Sequence, residues 1–404
     1  MSSETPIPGK PSDNNLNAAN RKADQWLIDD FRIGDFFFAS PDRQFRGSRK
    51  DVAVVSYQQA SAETIHALFD QARQRGVAEP VMFGLVPFDV SRRASLAIPS
   101  HVDNAPVPNE RVLQSDQSGR PQVANQKPVP EPEQYGEMVR RALGLMSEEG
   151  LRKIVLSRTM EVTLDRPLEY ARLLPDLLSR NAHGYTFAIP VWDADGQTQP
   201  VGMMVGASPE LLVRRVGDTI HVNPLAGSIG RNPDPSRDQQ LKDGLAVSEK
   251  DLREHSYVVN DIARILREHC VDLDIPERPS VIGTDTLWHL STYITGRLRN
   301  PEMTALELAC ELHPTPAICG YPTATAFSHL PDLEPFDRGY FAGLVGWQQA
   351  NGDGEWALSL RCAQQTGEDT LRLFAGAGIV TGSNPDHEIL ETATKMETFM
   401  RAIR

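Results

Sequence analysis

The sequence lacks the features that define several large protein classes. No stretch approaches the ~18 consecutive apolar residues of a membrane helix, so no membrane association is expected. Residues 1–22 are polar and contain no apolar core of a secretory signal, which predicts a disordered tail. The four cysteines include no C-x-x-C pair and form no disulfide framework. These features favour a reducing, cytoplasmic location.

The sequence also lacks a basic stripe. Its formal net charge is −13, and lysine and arginine are not clustered along any segment. Nucleic-acid binding depends on clustered cations that contact phosphates, so nucleic acid is not expected as a partner. An acidic chain can still contain a locally positive pocket for a small anion, and a small anionic substrate stays compatible with this charge.

Four common functional motifs are missing. There is no G-x-x-x-x-G-K-[ST] loop, no H-x-x-x-H pair and no G-x-S-x-G elbow, which argues against P-loop, zinc and serine-hydrolase chemistry. Two glycine-rich turns, at residues 224–228 and 375–378, lack the third glycine and the following helix of a dinucleotide site. Both turns still allow backbone N–H groups to approach an anion closely.

The hydrophobic pattern predicts an α+β protein. Strand-like runs at 51–57, 81–90 and 153–162 are interleaved with helical spacing over about 135–150 and 248–269. Many strand-like runs follow one another without an intervening helix, which favours large, largely antiparallel sheets. We expect residues 23–404 to form a single catalytic domain. Residues 102–133 are rich in Pro, Gln, Asn and Ser and predict a long loop or linker.

Two predicted helices carry acidic pairs near their N-termini. Asp251 and Glu254 are three residues apart, as are Glu388 and Glu391, and Lys395 follows four residues later. Residues at this spacing share a helix face. Together the two pairs could hold a hard divalent cation such as Mg²⁺, which prefers carboxylate oxygens. Each pair alone is equally compatible with solvated surface charge.

Two basic residues lie in apolar strand-like runs. Lys153 opens the run KIVLSR, and Arg361 lies within ALSLRCA. Charged side chains are unfavoured in such positions unless a partner is near. A desolvated lysine can become a general base, and a buried arginine is suited to bidentate carboxylate binding. The alternative for each is a strand-edge side chain that reaches solvent.

Several segments, in order along residues 134–397, resemble the chorismate-utilising enzymes, a family of isochorismate, salicylate, anthranilate and aminodeoxychorismate synthases. The segments are KIVLSR (153–158), ASPELLVR (207–214), NPLAGS (223–228), SEKDLREH (248–255), WHLST (288–292), HPTPAICG (313–320), YFAGLVGW (340–347), ALSLRCA (357–363) and AGAGIVTGSNPDHEILET (375–392). SEKDLREH and HPTPAICG most resemble isochorismate synthases that feed 2,3-dihydroxybenzoate siderophores. The resemblance implies large antiparallel sheets packed face to face, with helices outside.

The resemblance implies an isomerase that converts chorismate to isochorismate. Water would attack C2 of the ring, and the C4 hydroxyl would leave. Lys153 would be the base that deprotonates the water, and Glu210 the acid that protonates the leaving hydroxyl. Mg²⁺ would orient the ring carboxylate and offset its charge. Its implied ligands are Glu254 and Glu391, supported by Glu388 and Asp251.

The resemblance also implies the substrate contacts. Arg361 and Tyr340 would bind the enolpyruvyl carboxylate, and Lys395 would add positive charge near the metal-bound carboxylate. His289 would tune water attack against pyruvate elimination. The remaining pocket contacts are implied near Gly227, Ser228, Ala317 and Gly376.

Three alternatives to an isochorismate synthase remain open. A salicylate synthase would go on to eliminate pyruvate, and an anthranilate synthase component I would use ammonia with a glutaminase partner. A non-catalytic chorismate-binding protein belongs to a different class. Ala226 stands where aminodeoxychorismate synthases carry a nucleophilic lysine, which favours water as the nucleophile. We expect a monomer that hands its product to an isochorismatase.

Overall fold

The structure is a computed structural model that describes residues 25–56, 60–108, 120–148, 150–194, 197 and 199–404. The tail predicted for residues 1–22 lies outside the described residues. Within the described ranges, no helix has the length and apolar character needed to cross a membrane.

The helices follow the predicted spacing, and several begin at capping residues. Ser61, Ser248 and Asn384 each precede a helix, and the side chain of each accepts a hydrogen bond from a backbone N–H of the first turn. The predicted helices around 135–150 and 248–269 and at the C-terminus are confirmed. The helices are α1 Ala62–Gln74, α2 Pro132–Glu148, α3 Tyr170–Arg180, α4 Pro235–Val247, α5 Glu249–His269, α6 Ala305–Leu312, α7 Thr323–Leu333 and α8 Pro385–Ile403.

The strands are mostly short and rich in β-branched and aromatic residues. They are β1 Phe36–Ala39, β2 Arg43–Gly47, β3 Val52–Ser56, β4 Val81–Val86, β5 Ser95–Pro99, β6 Val102–Pro106, β7 Val123–Val129, β8 Lys153–Leu164, β9 Tyr185–Val191, β10 Gly202–Ser208, β11 Leu211–Val216, β12 Thr219–Asn223, β13 Leu225–Gly230, β14 Cys270–Asp274, β15 Ser280–Gly283, β16 Leu287–Ser291, β17 Ile294–Leu298, β18 Gly320–Tyr321, β19 Leu344–Gln349, β20 Gly354–Leu358, β21 Cys362–Gln365 and β22 Thr370–Val380.

These strands form three antiparallel sheets. The ten-stranded sheet has the order β18-β8-β22-β21-β10-β9-β1-β2-β6, with β7 also paired to β8. The nine-stranded sheet has the order β14-β17-β12-β11-β20-β19-β4-β5-β3, and a small sheet consists of β13-β16-β15. The α+β prediction with largely antiparallel sheets is confirmed.

The two large sheets pack face to face through aromatic side chains. Phe36 of the ten-stranded sheet lies 5.3 Å, between ring centroids, from Phe83 of the nine-stranded sheet. Phe45 and Trp347 make a second contact across the same interface at 4.4 Å. All four side chains are buried. Alternating residues on each strand therefore supply one apolar face to a shared core.

The prediction of a loop or linker over residues 102–133 is wrong for most of its described part. β6 pairs with β2, β7 pairs with β8, and α2 begins at Pro132. Pro106 and Pro128 lie within these strands. Proline is tolerated at the edge of a sheet because an outward-facing position needs no N–H donor, so a proline-rich composition does not exclude an edge strand. Residues 109–119 lie outside the described ranges.

Candidate active site

One pocket collects the predicted site residues. It lies between the paired strands β8 and β22, the small sheet, and the N-terminal parts of α5 and α8. Every predicted site residue except Tyr340 lines it. These residues are Lys153, Glu210, Gly227, Ser228, Asp251, Glu254, His289, Ala317, Arg361, Gly376, Glu388, Glu391 and Lys395.

Strands β8 and β22 build the floor of the pocket. Lys153 and Ser157 are four residues apart on β8 and share a face because side chains alternate along a strand. Gly376 and Gly378 line the pocket from β22. A Cβ at Gly376 would lie 2.8 Å from Ser157 Oγ, and one at Gly378 would lie 2.9 Å from Glu254 Oε1. The glycines therefore leave room for the polar groups beside them.

Lys153 is a buried residue with a carboxylate partner. It is 1% exposed, and its Nζ lies 2.8 Å from Glu254 Oε1. The alternative of a strand-edge lysine that reaches solvent is therefore wrong. Glu254 competes with any bound water for the amine, so a base role for Lys153 depends on how this contact changes during the reaction.

Glu210 is a buried carboxyl group with one described hydrogen bond. It lies between β10 and β11, is 4% exposed, and accepts the backbone N–H of Leu225 at 3.2 Å. Burial raises the pKa of Glu210 to about 8, against the opposing effects of that N–H and of Lys153 and Lys395. The carboxyl group is therefore mostly protonated at neutral pH, as a general acid requires.

The four predicted metal ligands, Asp251 and Glu254 on α5 and Glu388 and Glu391 on α8, face the same pocket. Burial raises the pKa of Asp251, and nearby Glu254 adds to this effect while the Ser248 hydroxyl opposes it. Burial and the charge of Glu391 raise the pKa of Glu388. Carboxylates that are desolvated and repel one another favour a nearby cation, so this set of oxygen donors fits Mg²⁺.

The acidic residues are not arranged as a finished metal site. Within the described ranges, no three His, Cys, Asp or Glu side chains are grouped so that they could hold a metal ion. Glu391 Oε1 instead lies 2.6 Å from Lys395 Nζ, as Glu254 does from Lys153 at 2.8 Å. Burial opposes ionisation of Glu391, but Lys395, Lys250 and Arg361 together outweigh it and lower the pKa of Glu391. The metal ligands therefore stay a prediction.

Arg361 is held in an unusual backbone conformation at the pocket. It is 9% exposed, and its φ of 47° lies in the left-handed region that favours glycine. Ala342, another pocket residue, has a φ of 56°. Burial lowers the pKa of Arg361 to about 10, and Glu391 opposes this shift. Such conformations are costly and cluster at functional sites, which fits a guanidinium aimed at a ligand.

Ser228 and His289 face each other across β13 and β16. Ser228 Oγ lies 2.7 Å from His289 Nδ1. Burial, followed by the charges of Arg361 and Lys395, lowers the pKa of His289 well below its usual value, so the imidazole is neutral. His289 Nε2 and the pocket residue Ser157 Oγ are buried without a hydrogen-bond partner among the described residues. A bound substrate or water could supply these partners.

His255 fixes α5 against the small sheet. Its Nδ1 lies 3.1 Å from the Ala226 carbonyl, and its Nε2 lies 2.7 Å from Thr292 Oγ1. The neighbouring Gly227 has a φ of 79°, and a Cβ there would lie 3.0 Å from Asp251 Cβ. The glycine turn and the acidic helix thus approach more closely than another residue would allow.

The chain is similar to proteins of a known family. Residues 102–404 match the family described as chorismate binding enzyme. The chain belongs to this family. It is 43% identical over 383 residues to isochorismate synthase DhbC of Bacillus subtilis strain 168, covering 93% of this chain and 95% of that protein. It is 39% identical over 375 residues to isochorismate synthase EntC of Escherichia coli K12, covering 90% and 93% respectively.

Solved structures show the same fold for this chorismate binding enzyme. The crystal structure of DhbC from Bacillus anthracis matches with a TM-score of 0.85 and 39% identity, over 93% of this chain and 98% of that one. Anthranilate synthase component I from Streptococcus pneumoniae matches with a TM-score of 0.66 at 18% identity, covering 96% and 95%, which shows a shared fold alone.

Tyr340 is not among the residues that line this pocket, and its contact with the enolpyruvyl carboxylate stays a prediction. Its neighbours Phe341 and Ala342 line the pocket instead. The Tyr340 hydroxyl interacts with Ser95, and burial raises its pKa to about 12 against the effect of Arg92. These residues form a turn before β19, where no regular alternation indicates which side chain points inward.

Several other residues that line the pocket were not predicted from the sequence. Ser157 could have been found from the two-residue period of β8, and Gly378 from its spacing to Gly376. Lys250 lines the pocket beside the acidic pairs. Its charge lowers the pKa of Glu391, in the same direction as the larger effect of Lys395 and against the effect of burial. Apolar walls come from distant parts of the chain and carried no signal. They include Ile318, Phe341, Leu360 and Phe374.

Proposed function

We propose that this chain is an isochorismate synthase that converts chorismate to isochorismate for 2,3-dihydroxybenzoate siderophore synthesis. One observation carries the proposal: a buried amine, Lys153, and a buried, protonated carboxyl group, Glu210, line the same pocket. The reaction needs a proton acceptor and a proton donor in one water-poor site. The similarity to DhbC and EntC over nine-tenths of the chain supports the same activity.

In the proposed mechanism, Lys153 Nζ takes a proton from water as the water oxygen forms a bond to C2. Both ring double bonds shift, from C1=C2 to C1=C6 and from C5=C6 to C4=C5, as the bond between C4 and its hydroxyl oxygen breaks. Glu210 gives its proton to the departing hydroxyl, which leaves as water. The two residues recover their starting protonation states by exchange with solvent.

Cationic side chains suit the two carboxylates of chorismate. We assign Arg361 to the enolpyruvyl carboxylate because its guanidinium is buried and lines the pocket. Lys395 of α8 donates to the Gly376 carbonyl at 2.8 Å, which fixes its ammonium group. His289 Nε2 is left to contact the ring substituents or the attacking water.

Glu254 and Glu391 would hold Mg²⁺, supported by Glu388 and Asp251. When bound, the ion would orient the ring carboxylate and offset its charge. Lys153 and Lys395 form ion pairs with the two carboxylates proposed as ligands. We further propose that the enzyme acts as a cytoplasmic monomer and passes isochorismate to an isochorismatase.

Incubation of the purified chain with chorismate and Mg²⁺, followed by chromatography and mass determination, tests this function. Isochorismate as the main product is expected. Salicylate with an equal amount of pyruvate would identify a salicylate synthase instead, and anthranilate formed with ammonia would identify an anthranilate synthase. Unchanged chorismate, with binding detected by calorimetry, would indicate a non-catalytic binding protein. Lys127→Ala on exposed β7 is the matched control for changes at Lys153.

A further inference from the structure

Strand β8, which carries Lys153, has an interrupted edge. Its first edge pairs with β22 from Lys153 to Thr163. Its second edge pairs with β18 at Lys153 and Ile154, and with β7 from Thr159 onward. Between these partners, residues 155–158 face no strand among the described parts of the chain; this stretch is called the edge gap. Buried backbone groups in such a gap need other partners.

Two side chains fill the edge gap. Arg338 Nη2 donates to the Val155 carbonyl at 2.7 Å, and Glu334 Oε1 accepts the Ser157 backbone N–H at 2.8 Å. The Val155 N–H donates to the Cys319 carbonyl at 2.8 Å. The backbone groups that a neighbouring strand would bind are thus bound largely by one arginine and one glutamate.

Glu334 and Arg338 also form a buried ion pair. Arg338 Nε and Nη2 lie 2.8 and 2.6 Å from Glu334 Oε2 and Oε1. The two residues are 7% and 5% exposed, and the guanidinium lies 4.3 Å from the centroid of the Phe88 ring. A buried pair of this kind adds little net stability compared with apolar residues of similar size, because desolvation offsets the attraction. Stability alone therefore does not account for it.

The same pair reaches two other walls of the pocket. Arg338 Nη1 donates to the carbonyl of Ile318, which follows Ala317 in the pocket wall. Arg338 also leads directly into the turn that carries Phe341. One guanidinium thus links the strand of Lys153 and Ser157, the loop of Ala317, and the turn of Phe341.

We propose that Glu334 and Arg338 are positioning residues that replace a missing strand beside β8 and hold three walls of the active-site pocket in register. They do not contact the pocket themselves and act through the backbone of Val155, Ser157 and Ile318. Displacement of a reacting group by about 1 Å can cost about 100-fold in rate. The inference rests on the proposed function for its kinetic test only.

The double variant Glu334→Leu/Arg338→Met tests this role without leaving an unpaired buried charge. Hydrogen exchange at residue resolution, without substrate, should show the Ser157 amide exchanging at least about tenfold faster, because its acceptor is removed. With chorismate, kcat should fall about 100-fold while KM changes little, because Arg361 lies outside the network. The single variant Glu334→Gln keeps an acceptor oxygen for Ser157. It should therefore show a smaller rise in the exchange rate of the Ser157 amide and a smaller fall in kcat.

Two controls separate positioning from general destabilisation. Leu68→Ala removes a buried side chain of α1, which packs on β3 and β5 far from β8. It is compared with the double variant under conditions where the two variants have equal thermal stability. Glu268→Gln breaks an exposed pair of the same spacing, Arg264–Glu268 at 4.0 Å. Neither control should change kcat.

The proposal would be overturned if the double variant kept the wild-type kcat. It would also be overturned if the Ser157 amide exchanged no faster in the double variant than in Leu68→Ala at equal stability. If the wild-type chain does not form isochorismate, the proposed function fails. The exchange rates, together with calorimetric binding of chorismate, then still decide whether the pair holds β8.

Discussion

Replacement of Glu210 by glutamine should change how the stability of this protein depends on pH. Burial raises the pKa of the carboxyl group from 4.5 to about 8. Below pH 4.5 the group is neutral in both the folded and the unfolded chain. Between pH 4.5 and 8 it ionises only in the unfolded chain, so the folded chain binds more protons and its stability falls as pH rises. Above pH 8 the effect is constant.

The size of this effect follows from the width of the window. Each pH unit inside it costs the wild-type protein about 1.4 kcal/mol, or about 2 kcal/mol between pH 6 and 7.5. A glutamine side chain in place of Glu210 would be neutral in both the folded and the unfolded chain, so the variant does not lose this stability as pH rises. Between pH 6 and 7.5, the free energy of unfolding of the variant should therefore rise by about 2 kcal/mol relative to that of the wild type.

Urea unfolding of both proteins at three pH values from 6 to 7.5 measures the difference. Glu161→Gln, at a partly exposed carboxylate of β8, is the matched control. A difference between Glu210→Gln and wild type that stays constant over this range would refute the raised pKa. The assignment of Glu210 as a protonated general acid would then lose its physical basis.

Three further predictions concern the reaction itself. Lys153→Gln should lower kcat at least about 100-fold with an unchanged circular dichroism spectrum; more than a tenth of wild-type activity would contradict its role as the base. Chelation by EDTA should abolish isochorismate formation and added Mg²⁺ should restore it, so turnover in a metal-free preparation would remove the metal from the mechanism. Gly378→Ala would place a Cβ 2.9 Å from Glu254 Oε1 and 3.0 Å from Lys153 Cε. It should lower kcat/KM about tenfold by displacing that pair, whereas Gly244→Ala, where a Cβ meets nothing within 4 Å, should leave kcat/KM unchanged.

Local sequence signals predicted the helices correctly, and most residues named from the family resemblance line one pocket. Ser248 caps α5 and places Asp251 and Glu254 on the pocket side, as the three-residue spacing predicts. Lys153 and Arg361 are both buried, so neither is a strand-edge side chain that reaches solvent, and Arg361 lies between β20 and β21 and not within a strand. Periodicity gave no signal for the pocket residue Phe341, which lies outside any regular element, and composition failed for the edge strands β6 and β7.

The sequence by itself determined the family, the antiparallel α+β architecture and most residues of the pocket, because motif order, hydrophobic period and residue type are local properties. Only the tertiary structure decided which groups interact. Lys153 is paired with Glu254, 101 positions along the chain from it, and Glu210 has a raised pKa because the fold buries it. The Glu334–Arg338 pair beside β8 depends on contacts over about 180 residues. Burial and long-range hydrogen bonds set these properties, and neither is encoded in a short segment.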